Sequence, residues 1–413
     1  GSGPAIQDLY IFIGLLVFGL CTSLILNSRV FFGQPLLIDS RVPLEYARLV
    51  LSGTITPSLD DATFNLMRGY ILLRDGFWFP IQPPGHLLLL MVSHLIGLSK
   101  TPGAIGLVVS FISFVLLGRA IPLSRCGLWI ASLLFVTSPL VLVVHAEYIN
   151  HISEQMYVLL ALVAAYRMVD RRPDTAMWWC VTFGVAVGAM AITRPLTAVG
   201  MLVPIGVWLL SQPHLRGFRP WCVAFLGVAP FIVVYALYNK VTTGSYLLSG
   251  YEAEYGASHN PGFGVAPNGE LFTPLKGITR MFGQFQSLSA NALILPLPLV
   301  FVALCSYKVP RLRPLLASAL GLAVAYACYW HDGGPFFAPR FFFESISLWC
   351  LLLGGALSTL IETTCQEGKR ERSQKLVQVC GALVAFYVGL SLLFPVRDTF
   401  LYYKKAAERT DIF

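Results

Sequence analysis

Charged side chains are scarce in this 413-residue chain, so each one that interrupts or ends an apolar run is a candidate for chemistry. Asp39 follows Leu36-Leu37-Ile38 at the exit of an apolar segment, within reach of a membrane-embedded substrate. A carboxylate at that edge can serve as general base toward a hydroxyl. Asp60 and Asp61 read first as helix N-caps and stand as alternative bases, and Asp75, in Arg74-Asp75-Gly76, reads as a turn residue. Two guanidiniums stand at helix starts: Arg194 in Thr193-Arg194-Pro195 and Arg340 in Ala338-Pro339-Arg340-Phe341. Arginine grips a phosphate through two parallel hydrogen bonds, and a helix N-terminus adds to the attraction for an anion. A lipid phosphate is therefore a natural ligand, with snorkelling to headgroups as the structural alternative. Glu147, His151 and His86 are polar groups beside apolar runs, placed for sugar or acceptor contacts. The segment 244–272 is rich in Gly, Tyr, Asn and Pro, and its Tyr251, Tyr255, His259 and Asn260 suit sugar stacking and hydrogen bonding.

The composition says which solvent these residues work in. Apolar residues make up 56% of the chain and charged residues 12%, half of the roughly 25% usual for soluble domains. That excludes a soluble globule, and the same numbers exclude disorder. The net charge of +8 does not point to nucleic acid, because the basic residues fall in short clusters between apolar runs, as in loops held at an anionic membrane surface. The nine cysteines lie mostly inside apolar runs, with no CxxC, and no histidine pair has zinc spacing; they read as small buried hydrophobes. Gly1-Ser2-Gly3 reads as a tag remnant, and the first apolar run is long enough to remain as a helix.

A helix needs about 20 apolar residues to cross the hydrocarbon. Eleven runs qualify: about 9–27, 103–119, 126–145, 153–168, 175–193, 196–212, 221–238, 289–306, 314–330, 342–361 and 376–394. The short run 86–98, after Pro83-Pro84-Gly85, is best left uncrossed. With a cytoplasmic N-terminus, Arg119 and Arg125, Arg167 with Arg171 and Arg172, Arg216 and Arg219, Lys308 with Arg311 and Arg313, and the cluster 369–375 then all fall inside. The run 86–98 becomes a juxtamembrane or re-entrant helix on the outer side.

The expected organisation is a single transmembrane domain over 1–394 with long outer loops at 28–102 and 239–288, and an outer-side tail over 395–413. Arg41–Gly53 reads as an amphipathic helix opened by Pro43, and 61–74 as a second, both lying in the interface. Long outer loops and short inner ones put recognition outside the cytoplasm. With no P-loop and no GxGxxG, ATP and nucleotide sugars are not expected as substrates.

Taken in order, these motifs resemble the membrane glycosyltransferases of the GT-C superfamily, in the branch of polyprenyl-phosphate-sugar-dependent protein mannosyltransferases and aminoarabinose transferases. Asp39, with Ala47 and Gly53 following, resembles the acidic opening of that family's first loop, although Ser40 stands where a glutamate is usual. Gln82-Pro83-Pro84-Gly85-His86, Ser138-Pro139 before Glu147, Thr193-Arg194-Pro195 and Ala338-Pro339-Arg340-Phe341 resemble its later motifs, with Phe341 in place of tyrosine. The resemblance covers about 9–361. It implies an all-α polytopic membrane protein, a bundle of about 11 transmembrane helices with outer juxtamembrane helices in the first loop. It also implies inverting transfer of a sugar from a polyprenyl-phosphate donor to a hydroxyl of an extracytoplasmic glycolipid, polysaccharide or protein. In that reading the enzyme is a multi-pass protein of the plasma (inner) membrane. Asp39 is the base, Arg340 clamps the departing phosphate, Arg194 is a second phosphate ligand, and no nucleotide enters. A divalent metal is compatible with the reading but not required. The rival class is a transporter or flippase for lipid-linked sugars. Transporters usually carry paired repeats and midplane charge; no repeat is visible here, and Glu344 near an outer end is the main intramembrane charge. A non-catalytic scaffold would not need so organised a first loop.

Overall fold

A computed structural model describes residues 3–58, 69–121, 123–170, 173–288, 299–331, 333, 339–366 and Lys405. The alternative bases Asp60 and Asp61, the expected span 376–394, the tail apart from Lys405, and the first part of the span 289–306 lie outside the described residues.

The helices are α1 (Gly3–Arg29), α2 (Ile38–Leu51), α3 (Gly85–Leu95), α4 (Pro102–Ala120), α5 (Arg125–Thr137), α6 (Pro139–Ala146), α7 (His151–Val169), α8 (Pro173–Ala191), α9 (Pro195–Ser211), α10 (Phe218–Thr243), α11 (Gly250–Tyr255), α12 (Pro274–Leu288), α13 (Leu299–Tyr307), α14 (Arg313–Ala327) and α15 (Ser345–Gln366). Four of them, α1, α4, α7 and α10, are long and apolar enough to cross a membrane alone. The expected span 126–145 is two helices, α5 and α6, bent by 50°. The bend follows from Ser138-Pro139: Pro139 has no N–H to continue α5 but suits the first position of α6, and Ser138 caps the new helix. The chain is a multi-pass membrane protein. Its exposed residues say so as clearly as its buried ones: Phe218, Phe225, Leu226, Val233 and Leu237 of α10 all face outward, an arrangement water would not tolerate but lipid does.

At the centre stands α7, packed against α4 and α8, with Leu159, Leu162, Ala164 and Ala165 fully buried. Around it α8 packs on α10, α9 on α14, and α5 on α15. Long-range hydrogen bonds sort the polar residues into two ends. Ser124 bonds Ser358, Arg311 donates to the Ala120 carbonyl, and Arg125 pairs with Asp8 at one end. Asp39, Gln82, Glu147, His151, Arg194 and Arg340 gather at the other.

The first loop departs from expectation in two ways. The helix expected from 41 begins at Ile38, so Asp39 lies in its first turn. The cause is distant: the Glu147 carboxylate accepts from the Leu36 and Leu37 N–H groups and caps the helix from outside. Of the helix expected over 61–74, residues 61–68 lie outside the described residues, and Ile71–Arg74 is a strand, β1, paired antiparallel with β2 (Phe77–Pro80). Asp75 and Gly76 both have positive φ, 53° and 80°, as a two-residue hairpin turn requires, and that turn outweighs the apolar spacing. A second short hairpin, β3 (Gly264–Val265) with β4 (Leu271–Phe272), lies in the second long loop.

The run 86–98 forms α3, only 11 residues, about 16 Å at 1.5 Å per residue and too short to cross. Glycine fixes it in place. The Gly85 N–H donates to the Ile192 carbonyl at 2.7 Å, and a Cβ there would stand 2.0 Å from Thr193 Oγ1. Two similar crossings flank it: a Cβ on Gly103 would meet the His145 carbonyl at 1.8 Å, and one on Gly250 the Ile81 carbonyl at 2.5 Å. These approaches press the loops onto the bundle end that carries the acidic and basic residues.

Candidate functional site

Asp39 and Arg340 are 301 positions apart in sequence and 3.5 Å apart in space, Oδ2 to Nη1. Two local features bring Asp39 there. Glu147 holds the start of α2, and Pro43, lacking an N–H, leaves the Asp39 carbonyl without its helical donor. Gln82 Nε2 donates to that freed carbonyl at 3.2 Å, which ties α2 to the Pro-Pro-Gly turn. The Asp39 side chain is 23% exposed, and its Oδ1 is buried without a hydrogen-bond partner among the described residues. Burial raises the Asp39 carboxyl above its ordinary value, with Arg340 and then Arg194 opposing the rise. Its charge also reaches two phenols: Tyr70 and Tyr251 are raised by burial first and by Asp39 next.

Arg340 opens a 3-10 turn, Arg340–Phe342, and its guanidinium lies 5.7 Å from the Phe341 ring centre. Gly333, at φ +88°, leaves room for it; a Cβ there would stand 3.2 Å from Arg340 Cγ. The long contact to Asp39 is its one ion pair among the described residues, and its Nε is buried with no acceptor. Among the described residues the guanidinium is thus held in place yet lightly used.

Arg194 is the reverse. Its Nη1 donates to Asn150 Oδ1 at 3.1 Å and to His151 Nε2 at 2.8 Å. Its Nη2 donates to the Tyr326 hydroxyl at 2.7 Å and its Nε to Thr197 Oγ1 at 3.3 Å, with Glu344 at 3.7 Å. Because Arg194 donates to Nε2, His151 carries its proton on Nδ1 and donates it to Glu344 Oε1 at 2.8 Å. Four of the five N–H groups of Arg194 are committed inside the protein.

Several residues expected to touch sugar or acceptor prove to be part of this frame. His151 is 1% exposed and lies between Arg194 and Glu344. His86 Nδ1 meets Ser153 Oγ at 2.9 Å and Nε2 meets the Tyr148 carbonyl at 2.7 Å; burial lowers it to about 4, so it is neutral. Glu147 accepts from Leu36, Leu37 and Tyr148 N–H groups, and burial raises it to about 7. The residues of the second long loop are placed differently. Tyr251 and Tyr255 stack on His259 at 5.2 and 4.9 Å, His259 Nε2 meets the Tyr329 hydroxyl at 2.9 Å, and Asn260 is exposed beside them. Tyr255 also donates to the Gly69 carbonyl, which joins this aromatic platform to the first loop.

Sequence reading missed Gln82 as a clamp, and Asn150, Thr197 and Tyr326 altogether. Glu344 carried a signal as the rare intramembrane charge, but its pairing with His151 and Arg194 did not. Among the described residues no group of three His, Cys, Asp or Glu is arranged to hold a metal ion.

The fold is similar to the folds of two solved proteins. The aminoarabinose transferase ArnT from Cupriavidus metallidurans, solved with undecaprenyl phosphate, superposes at a TM-score of 0.55 with 12% identity, covering 98% of this chain and 77% of that one. The Archaeoglobus fulgidus oligosaccharyltransferase in its apo form superposes at 0.53 with 14% identity, over 96% of this chain and 56% of that one. The same enzyme tethered to an acceptor peptide superposes at 0.55 with 13% identity, over 98% and 56%. The chain thus spans about three-quarters of ArnT and just over half of the oligosaccharyltransferase. No family model matches the sequence, and no curated protein matches it.

Proposed function

We propose that the chain is an inverting glycosyltransferase that moves a sugar from a polyprenyl-phosphate donor to a hydroxyl on an extracytoplasmic acceptor. Asp39 Oδ1, without a partner among the described residues, accepts the acceptor's proton as its oxygen bonds to the anomeric carbon. The bond from that carbon to the phosphate oxygen breaks, and the lipid phosphate leaves with its electron pair toward Arg340. Burial favours this role for Asp39, since a raised carboxyl is a stronger base than an ordinary aspartate. Arg340 has N–H groups to offer the phosphate, whereas Arg194 has committed its own and acts by holding His151, Glu344 and Tyr326. The donor enters from the bilayer, and the acceptor approaches over the Tyr251–His259 platform. The site faces the exterior of the plasma (inner) membrane, and the N-terminus is cytoplasmic. No nucleotide is used.

The observation that carries this reading is the pairing of Asp39 with a lightly used Arg340, in a fold that ArnT shares. The test is incubation of the reconstituted protein with a panel of radiolabelled polyprenyl-phosphate sugars. Release of label from one donor, lost on Asp39→Asn, is expected; no turnover of any donor with any hydroxyl acceptor would refute it.

A further inference from the structure

One buried carboxyl group beside the Arg194 frame has no part in the chemistry proposed above. Glu154 lies in the first turn of α7, its side chain has no exposure, and neither Oε1 nor Oε2 has a hydrogen-bond partner among the described residues. It stands three residues after His151, so the two share a face of α7. His151 reaches Glu344 from that face, and the charges that act on Glu154 are those of Glu344 and then Arg194. Glu344 is equally buried and uses one oxygen: Oε1 accepts from His151, while Oε2 is left without a donor. Gln155, whose amide is unpartnered too, lies about 100° round the helix and faces elsewhere.

The charges around it leave Glu154 without a counterion among the described residues. Arg194 and Glu344 cancel, Asp39 and Arg340 cancel, and His151 is neutral because Nε2 accepts from Arg194 while Nδ1 donates. His86 of α3 is neutral, and His145 of α6 places Nδ1 on the Val141 carbonyl with Nε2 buried and bare, the pattern of a neutral ring. The arginine of α4, Arg119, is in its last turn, at the opposite end of the bundle. Neither α9 nor Met177–Ala191 of α8 carries a charge. A carboxylate with no hydrogen bond and no cation of its own is far costlier in such an interior than the neutral acid. The neutral acid has an O–H to give, and Glu344 Oε2 is an acceptor that lacks one.

We infer that Glu154 is a proton-holding positioning residue: as a neutral carboxylic acid it donates to Glu344 Oε2, directly or through one buried water, and keeps Glu344 oriented on His151 and Arg194. The inference deepens the proposed glycosyl transfer and rests on it for the effect on turnover. With Glu344 held at both oxygens, Arg194 keeps its contacts to Asn150, His151 and Tyr326. With Glu154 neutral, the frame adds no net negative charge beside Arg340 to repel a lipid phosphate.

Infrared spectroscopy of the full chain in phosphatidylcholine nanodiscs at neutral pH reads the proton directly. A carboxylic-acid C=O band should be present, should vanish in Glu154→Gln, and should move toward the position of a more weakly bonded acid in Glu344→Gln. Turnover reads the positioning. Glu154→Met, which neither donates nor ionises, should slow transfer from the active polyprenyl-phosphate sugar by about tenfold, the low end for losing a hydrogen bond to a charged group. Glu154→Gln, which donates without ionising, should recover most of that loss. Absence of an acid band that Glu154→Gln removes would overturn the inference, as would a band that Glu344→Gln leaves unmoved. So would a Glu154→Gln variant as slow as Glu154→Met, which would make the working group a carboxylate, or a Glu154→Met variant as fast as the unmodified chain. Should Glu154→Met not fold, the infrared bands and the turnover of Glu154→Gln decide. An acid band that behaves as expected in a chain that turns over no donor counts against the glycosyl transfer and leaves the proton on Glu154 standing.

Discussion

Asp39→Asn separates catalysis from binding more sharply than any other substitution here. Asparagine keeps the shape of the side chain and removes both its charge and its basicity. Loss of a positioned general base lowers turnover by about 100- to 10,000-fold. The effect on donor binding has the opposite sign. Two unit charges at the 3.5 Å of the Asp39–Arg340 contact attract by about 5 kcal/mol at an effective dielectric of 20 and about 1 kcal/mol in bulk water. With the two side chains 23% and 14% exposed, the real figure lies between those limits, and an arriving phosphate must compete with it for the guanidinium. Removing the carboxylate lifts that competition, so undecaprenyl phosphate should bind at least as tightly to the variant, by about tenfold for each 1.4 kcal/mol released. The assay is paired: calorimetry of undecaprenyl phosphate in nanodiscs and single-turnover transfer from whichever donor is active. Loss of both binding and turnover would mean that Asp39 holds the site together, and unchanged turnover would remove it as the base.

Other predictions concern the frame and its pH response. Because burial raises the Asp39 carboxyl, the acid limb of transfer activity should lie above the ordinary aspartate value of 3.8, and a limb at or below it would contradict a buried base. Glu147, at about 7 when folded against 4.5 ordinarily, binds more protons in the folded state between those values. Its contribution is therefore full below about 4.5 and falls as pH rises to about 7, by on the order of 3 kcal/mol; Glu147→Gln should flatten that slope in thermal melts. Arg194→Ala should lower the melting temperature more than Arg340→Ala, because it takes the donor away from His151 Nε2, Asn150 Oδ1 and the Tyr326 hydroxyl and the positive charge away from Glu344; equal losses would contradict the division of roles. Gly85→Ala places a methyl 2.0 Å from Thr193 Oγ1 and 2.7 Å from the Ile192 carbonyl, which should cost about 1–3 kcal/mol and show in thermal melts.

What the sequence made legible follows from what membranes demand. Apolar runs announce helices because lipid leaves the backbone no other partner, so the helical bundle was readable from composition and spacing. Asp39 and Arg340 stood out because charge is costly there. The role of Glu147 was not legible, since its three N–H partners come from the backbone and backbone leaves no mark in a side-chain pattern. Arg194 and Arg340 look alike in sequence, each beside a proline at a helix start. Only the positions of Asn150, His151, Thr197 and Tyr326 reveal that one is consumed and the other available. The hairpin at Asp75-Gly76 was hidden by Ile71, Leu72 and Leu73, three apolar residues that suit a helix as well as a strand.

The glycine crossings at Gly85, Gly103 and Gly250 divide the outer surface into a sutured part and a free rim. Residues 256–258 and 260–263 are exposed beside the aromatic platform, outside these crossings, whereas Gln82 is buried and Asp39 partly so. Directed evolution toward new acceptors should accordingly find its gains along that rim, while libraries that randomise the seams lose expression before they change selectivity.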